Sequence, residues 1–159
     1  MEPEPYLRAL AETAAQQAAV PIRVVDGTAD ALPGPDAGMD AAVASLVLCS
    51  VPDQARALAE LRRVLRPGGE LRFFEHIQAD TSGLAKVQRL ADVIWPSFVG
   101  GCQTSRDTLT AITTAGFQLI STRRFRFPDS RLPSPAAPHV LGIARRPPES
   151  RPEGRHRID

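Results

Sequence analysis

The alternation of apolar and polar positions between Asp40 and His76 predicts one βαβ unit. An uncharged run at 41–48 precedes an amphipathic segment at 53–65, whose apolar residues recur at helical spacing. A turn at 66–69 and a second apolar run, ending at His76, complete the unit. Strands joined by a helix pair in parallel, and a continuous apolar strand is typical of burial on both faces.

The carboxyl ends of these two strands are where function is expected. Ligands of open parallel sheets bind beyond that edge. The sequence there reads Leu48-Cys49-Ser50 after the first strand and Glu75-His76 after the second.

Six further elements follow from periodicity and from turn residues. They are helices at 4–19, 81–94 and 106–115, a strand at 22–25, and a terminal antiparallel hairpin of strands 117–127 and 139–144. We expect Asp53 and Ser105 to cap their helices and Gly116 to end the last one. The polar, proline-rich segment 146–159 is predicted to be a disordered tail after a single domain at 1–145.

Composition excludes several classes of function. The 159 residues carry a net charge of +1, which provides no general attraction to nucleic acid or to a membrane surface. No apolar run is long enough to span a bilayer. Cys49 and Cys102 show no metal-ligand spacing, so we predict no metal site and a reducing, cytoplasmic environment.

Several motifs together resemble a known enzyme family. Asp-Gly-Thr-Ala-Asp-Ala-Leu-Pro at 26–33 and Leu-Arg-Pro-Gly-Gly at 65–69 are similar to motifs of class I S-adenosylmethionine (SAM)-dependent methyltransferases. Val-Leu-Cys-Ser-Val at 47–51, Glu75-His76 and Gly101-Cys102 resemble the thiol methyltransferases of that family and their bacterial relatives. The resemblance covers about residues 1–145 and implies a Rossmann-like α/β sheet with helices on both faces.

The resemblance also implies residues that bind SAM. Glu2 matches the acid that accepts hydrogen bonds from the ribose hydroxyls, and its alternative role is a solvated terminal acid. Thr28 and Ala29 match the adenine-edge contacts, with Asp26 as a nearby carboxylate. An ordinary turn is the alternative for that loop.

The strand ends would hold the reacting groups. Ser45 and Leu46 would lie beside the sulfonium and its methyl group. His76 would take a proton from the acceptor, or would only orient a loop. Cys49 is more simply a buried structural thiol than a nucleophile. Trp95 and Phe98 are interpreted as lining an acceptor pocket or as plain core.

The family's first strand and glycine-rich turn, of the Gly-x-Gly-x-Gly type, are missing upstream of Glu2. We therefore expect a fragment or a misassigned start, with half of the cofactor site present. The run at 41–48 would then have an open edge. We expect that edge to be covered by 22–25 or by self-association with a second copy.

The sequence favours an enzyme that transfers a methyl group from SAM to a small-molecule acceptor. The nearest resemblance suggests a thiol, and oxygen and nitrogen acceptors share the same scaffold. An inactive, truncated binding module is the alternative. A nicotinamide-dependent oxidoreductase is the least favoured, because Leu-Arg-Pro-Gly-Gly followed by an antiparallel hairpin argues against it.

Overall fold

The computed structural model of the protein describes residues 1–128 and 134–148. Its helices are α1 (Pro5–Ala15), α2 (Gln54–Val64), α3 (Ser82–Ala91) and α4 (Thr108–Thr114), with a 3₁₀ turn at Trp95–Ser97. Its strands are β1 (Met39–Ser45), β2 (Leu65–His76), β3 (Gln118–Arg126) and β4 (Pro138–Arg145). In the described part of the chain, no helix is long and apolar enough to cross a membrane.

The four strands form one mixed sheet in the order β1-β2-β4-β3. β1 pairs in parallel with β2, so the predicted βαβ unit is confirmed. β4 pairs antiparallel with both β2 and β3, so the predicted terminal hairpin is confirmed too. This order places the carboxyl ends of β1 and β2 side by side.

The core lies between α2 and β2. Leu58 and Leu61 of α2 pack with Leu71 and Phe73 of β2 in one buried cluster. Each such side chain contributes roughly 1.5–3 kcal/mol when fully buried. Asp53 caps α2 as predicted, and its carboxylate accepts the Arg56 N–H at 2.9 Å.

Helix α4 packs beside α2 and ends as the sequence predicts. Gly116 adopts φ +86°, a left-handed conformation that favours glycine. Its N–H donates to the Thr113 carbonyl at 3.0 Å, and the Phe117 N–H donates to Ile112 at 3.3 Å. The predicted cap is wrong, because Asp107, rather than Ser105, accepts the Thr110 N–H at the start of α4.

The predicted strand at 22–25 is wrong. Its residues form no ladder, and Ile22 is exposed. A short strand without a hydrogen-bonded neighbour has nothing to offset the cost of ordering its backbone. This segment therefore does not cover β1, which pairs only with β2 among the described residues.

Burial of β1 on both faces is also a wrong prediction. Only Ala44 of β1 is buried, while Val43 is 75% exposed. The strand ends earlier than predicted, at Ser45, because Leu46 adopts φ +55° and leaves the extended conformation. Self-association through this edge stays a prediction.

The predicted turn at 66–69 interrupts the ladder within β2. Met39 pairs with Leu65 and Ala41 with Glu70, so the four residues between form a bulge. Arg146 closes this bulge through backbone hydrogen bonds to both of its glycines. The ordered chain therefore extends at least to Arg146, and the rest of the predicted tail from 149 onward lies outside the described residues.

Candidate active site at the strand ends

The chain turns sharply after β1, at the edge where the sequence predicts function. Leu46 still donates its N–H to the Phe74 carbonyl of β2, at 2.8 Å. Its positive φ then directs the next residues across the end of β2. A non-glycine residue in this region needs support from its surroundings, and β2 supplies it.

Glu75 holds this turn in place. Its Oε1 accepts the N–H groups of Val47 and Leu48, both at 3.0 Å, and its Oε2 accepts the N–H of Cys49 at 3.1 Å. The side chain is fully buried. Burial, with a smaller contribution from Cys49, raises the pKa of Glu75 to about 7.

Sequence reasoning counted Glu75 only as a strand end. Leu71, Phe73 and Glu75 alternate along β2, so all three point to the same buried face. An acid at an inward position of an apolar strand was the signal that could have identified it. Such a group persists in a core only when it is hydrogen-bonded.

His76 points to the opposite face, toward two thiols. Its Nδ1 lies 3.2 Å from the Cys102 Sγ and 3.5 Å from the Cys49 Sγ. The two Sγ atoms are 3.6 Å apart. Both cysteines are buried and unbridged, whereas His76 is partly exposed.

The two thiols differ in acidity. Their mutual contact, followed by burial, raises the pKa of Cys49 to about 12. The same contact lowers the pKa of Cys102. Burial agrees with the prediction of a structural thiol at Cys49, but sequence reasoning did not connect this residue with Cys102.

Cys102 reaches the cluster through a tight turn. Gly101 adopts φ +82°, and a Cβ at this position would lie 2.9 Å from the Ser50 carbonyl oxygen. The Gln103 N–H donates to the Cys49 carbonyl at 2.8 Å. The turn therefore touches the loop after β1 directly, and glycine permits the approach.

Two polar side chains, the buried Gln88 of α3 and the partly buried Asp92, anchor the chain beyond Cys102. The Gln88 side chain donates to the carbonyls of Ile77 and Thr104, at 3.0 and 2.9 Å. Asp92, which follows α3, accepts the N–H groups of Thr104 and Ser105, at 2.7 and 2.9 Å. These bonds connect the end of β2 with the segment that carries Cys102.

His139 stands opposite His76 in the antiparallel ladder. The two rings are 4.3 Å apart, and the ring of Phe74 stacks on His139 at 5.0 Å. The Nδ1 of His139 lies 2.9 Å from the Ala137 carbonyl oxygen. Burial lowers the pKa of His139, which favours the neutral ring.

A pocket of about 270 Å³ opens beyond these two rings. Its lining includes Ile77, Leu84 and Phe125, with His139 at one side. Phe98, which the sequence suggested for an acceptor pocket or core, is 85% exposed and serves neither role here.

The predicted cofactor residues fall into two groups. In the first, Arg8 joins the Glu2 carbonyl, at 2.9 Å, to the Asp26 carboxylate, at 2.7 Å. The Glu2 carboxylate accepts the Glu4 N–H at 2.9 Å. Arg8 therefore links the backbone of Glu2 to the carboxylate of Asp26.

The loop that follows Asp26 is held by local bonds. Thr28 forms a backbone bridge with Ala31, and its side chain lowers the pKa of Asp30 by hydrogen bonding. Ala29 packs against the core. The second group, Ser45 and Leu46, lies with His76 at the strand ends.

Comparisons with known proteins agree with this topology. The profile of a family described as a methyltransferase domain matches residues 1–73. The human thiol S-methyltransferase TMT1B is 38% identical over 110 residues, which are 69% of this chain and 44% of that protein. The C-methyltransferase UbiE of Methylobacterium nodulans, of ubiquinone and menaquinone biosynthesis, is 41% identical over 76 residues, 48% of this chain and 30% of that protein.

Solved structures extend the agreement to the fold. A SAM-dependent methyltransferase from Methanosarcina mazei superimposes with a TM-score of 0.68 at 23% identity, covering 93% of this chain and 81% of that one. By its sequence matches, the chain belongs to the class I SAM-dependent methyltransferases. The [4+2]-cyclase SpnF shares this fold, with a TM-score of 0.71 at 20% identity over 92% of this chain and 64% of that one.

This methyltransferase chain spans less than half the length of the human thiol S-methyltransferase that it matches. We treat as proposals the activity of the whole protein, its acceptor and the roles of individual residues.

Proposed function

We propose that this chain is part of a methyltransferase that transfers a methyl group from SAM to a small-molecule thiol. The observation that carries the proposal is the 38% identity to a human thiol S-methyltransferase. The Rossmann-like strand ends support it, because class I enzymes bind ligands at that edge.

The residues present fit one part of a SAM site. The Glu2 carboxylate engages the Glu4 N–H through Oε1, which leaves its second oxygen available to ribose hydroxyls. Asp26, Thr28 and Ala29 form the adjoining loop, proposed as the wall beside the adenine. Ser45 and Leu46 would lie at the methyl end. When bound, SAM supplies an electrophilic methyl group on a sulfonium.

Transfer is an in-line displacement that needs alignment more than charge chemistry. The acceptor sulfur would bond to the methyl carbon, and the electron pair of the broken C–S bond would stay on the departing thioether. The acceptor proton needs a base. We propose His76, which lies at the carboxyl end of β2 with its ring 4.3 Å from that of the pocket residue His139, for this role. Its Nδ1 faces two thiols, so Nε2 is the atom directed to the acceptor.

The pocket beside His139 is the proposed acceptor site. Ile77, Leu84 and Phe125 give the pocket an apolar part suited to the carbon chain of a small thiol, and Asp80, Arg124 and Arg126 also line it. Burial lowers the pKa of His139, so this ring adds little positive charge beside an acceptor.

The proposal is tested by supplying matched acceptors. The chain, preceded by the strand–turn–helix segment of the human thiol S-methyltransferase, is incubated with SAM and an alkyl thiol, alcohol or amine of equal carbon number. Mass spectrometry should detect methylated product with the thiol alone. Methylation of the alcohol or amine in preference would overturn the thiol assignment. SAM binding without turnover on any acceptor would favour a binding module instead.

A further inference from the structure

Three potential metal ligands meet where β1, β2 and the turn after the 3₁₀ segment come together. They are the Sγ of Cys49, the Nδ1 of His76 and the Sγ of Cys102. These atoms all lie within 4.8 Å of one another. Thiolate sulfur and imidazole nitrogen are the ligands that zinc prefers in proteins.

The distances agree with three corners of a zinc tetrahedron. Zinc bonds of about 2.3 Å to sulfur and about 2.0 Å to nitrogen place two sulfurs about 3.8 Å apart and a sulfur and nitrogen about 3.5 Å apart. The observed separations are 3.6 Å between the sulfurs and 3.5 and 3.2 Å from nitrogen to sulfur. To bind one zinc ion, these three ligand atoms would have to move by only a few tenths of an ångström.

The surroundings hold the ligands before any ion arrives. Glu75 accepts the Cys49 N–H, and Gln103 donates to the Cys49 carbonyl. Gly101 brings Cys102 against the same loop. Ser50 Oγ lies 3.5 Å from the Cys49 Sγ, within reach of a hydrogen bond to a thiolate. Such outer contacts orient metal ligands and tune their affinity.

We propose that Cys49, His76 and Cys102 form a Cys₂His zinc site with one coordination position open to an exogenous ligand. On binding, the two thiols release their protons to solvent and the neutral imidazole donates the Nδ1 lone pair. Two thiolates balance the charge of Zn²⁺, so the buried cluster stays neutral. His76 is the partly exposed member, and the fourth position is accessible from its side.

One imidazole cannot be a zinc ligand and a base at the same time, so the base role proposed for His76 applies to the metal-free protein. In zinc-loaded protein, His76 is a ligand and does not take a proton. A His76→Gln variant therefore loses zinc under this proposal. Zinc binding that is unchanged in this variant would mean that the imidazole is not a ligand. Zinc loading requires neither SAM nor an acceptor, so its failure would not touch the proposed function.

The experiment uses the full 159-residue chain, reduced with a phosphine, supplied with Zn²⁺ and freed of excess by gel filtration. Metal analysis should find about one zinc per chain. Zinc binding should weaken by more than about a hundredfold in each of Cys49→Ser, Cys102→Ser and His76→Gln. Loss of a residue that only hydrogen-bonds to a metal ligand already weakens metal binding by up to about a hundredfold. His139→Phe is the matched control, because its ring lies 4.3 Å from His76 but outside the ligand set, and it should retain zinc.

Cobalt provides a readout that does not depend on comparing variants. Co²⁺ added to the reduced wild-type chain should give thiolate-to-metal charge transfer and the visible bands of tetrahedral coordination. Circular dichroism checks that each variant is folded. Wild-type protein that takes up neither metal would overturn the proposal. Zinc contents in the Cys49→Ser and Cys102→Ser variants equal to that of wild type would also overturn it.

Discussion

Replacing Glu75 with glutamine should destabilise the protein at mildly acidic pH. The wild-type carboxyl group accepts three buried N–H groups, from Val47, Leu48 and Cys49. Glutamine has one acceptor oxygen, so its amide NH₂ would face one of these donors, most simply that of Cys49. A buried donor without an acceptor costs about 1–3 kcal/mol. We expect that loss in the free energy of unfolding near pH 5.

The same substitution should remove a pH dependence. Burial raises the pKa of Glu75 to about 7 from an ordinary value of 4.5. An acid with a raised pKa stabilises the folded state in its protonated form. This contribution is fully present below the unfolded pKa and is lost as the pH rises through about 7. It amounts to at most about 3 kcal/mol, at about 1.36 kcal/mol per tenfold change in proton affinity. The Glu75→Gln variant cannot titrate at this position.

Urea unfolding followed by far-ultraviolet circular dichroism, from about pH 5 to about pH 8, measures both effects. The stability advantage of wild type over the variant should shrink across this range. His139, whose pKa is lowered by burial, titrates in both proteins and cancels from the difference. Parallel stability curves for wild type and variant would refute the reasoning.

Glu70→Gln is the matched control on the same strand. Hydrogen bonds from Arg72 and Arg145 lower the pKa of Glu70. Its contribution is therefore present above the ordinary glutamate pKa and lost as the pH falls below it. Removing this residue should change the slope only at more acidic pH and in the opposite sense.

Four further outcomes are expected. In the chain preceded by the strand–turn–helix segment of the human enzyme, Glu2→Ala should weaken SAM binding about tenfold or more, since a charge-assisted hydrogen bond contributes roughly 1.5–3 kcal/mol. An unchanged Kd for SAM would remove Glu2 from the site. In the same extended chain, His76→Ala should lower turnover about a hundredfold and leave SAM affinity unchanged. Equal losses of turnover and of SAM affinity would indicate a structural role. The open edge of β1 should cause self-association, which sedimentation detects and Val43→Lys should reduce; a monomeric wild type would contradict this. Gly101→Ala should lower the free energy of unfolding more than Gly100→Ala, because both have positive φ but only Gly101 faces the Ser50 carbonyl; equal effects in urea unfolding would count against that contact.

The sequence by itself determined the elements whose signals are local. Helix α2 follows from the spacing of Leu58 and Leu61 and from the cap at Asp53, since a helix satisfies its own hydrogen bonds. The parallel β1–α2–β2 unit follows from two apolar runs around that helix, and the end of α4 follows from Gly116. The motifs of the methyltransferase family are likewise contiguous stretches of chain.

Tertiary structure decided what depends on a distant neighbour. The segment at 22–25 has strand composition, but among the described residues no neighbouring strand pairs with it, so it forms no strand. The sequence shows Glu75 as an acid at a strand end, and only the turn after β1 supplies its three donors. The three candidate zinc ligands, Cys49, His76 and Cys102, are far apart in the chain. They meet because the parallel register aligns the ends of β1 and β2, and because Gly101 allows its turn to approach the loop after β1 closely. The spacing of these residues along the chain does not predict their contact, because the sheet register and the turn geometry create it.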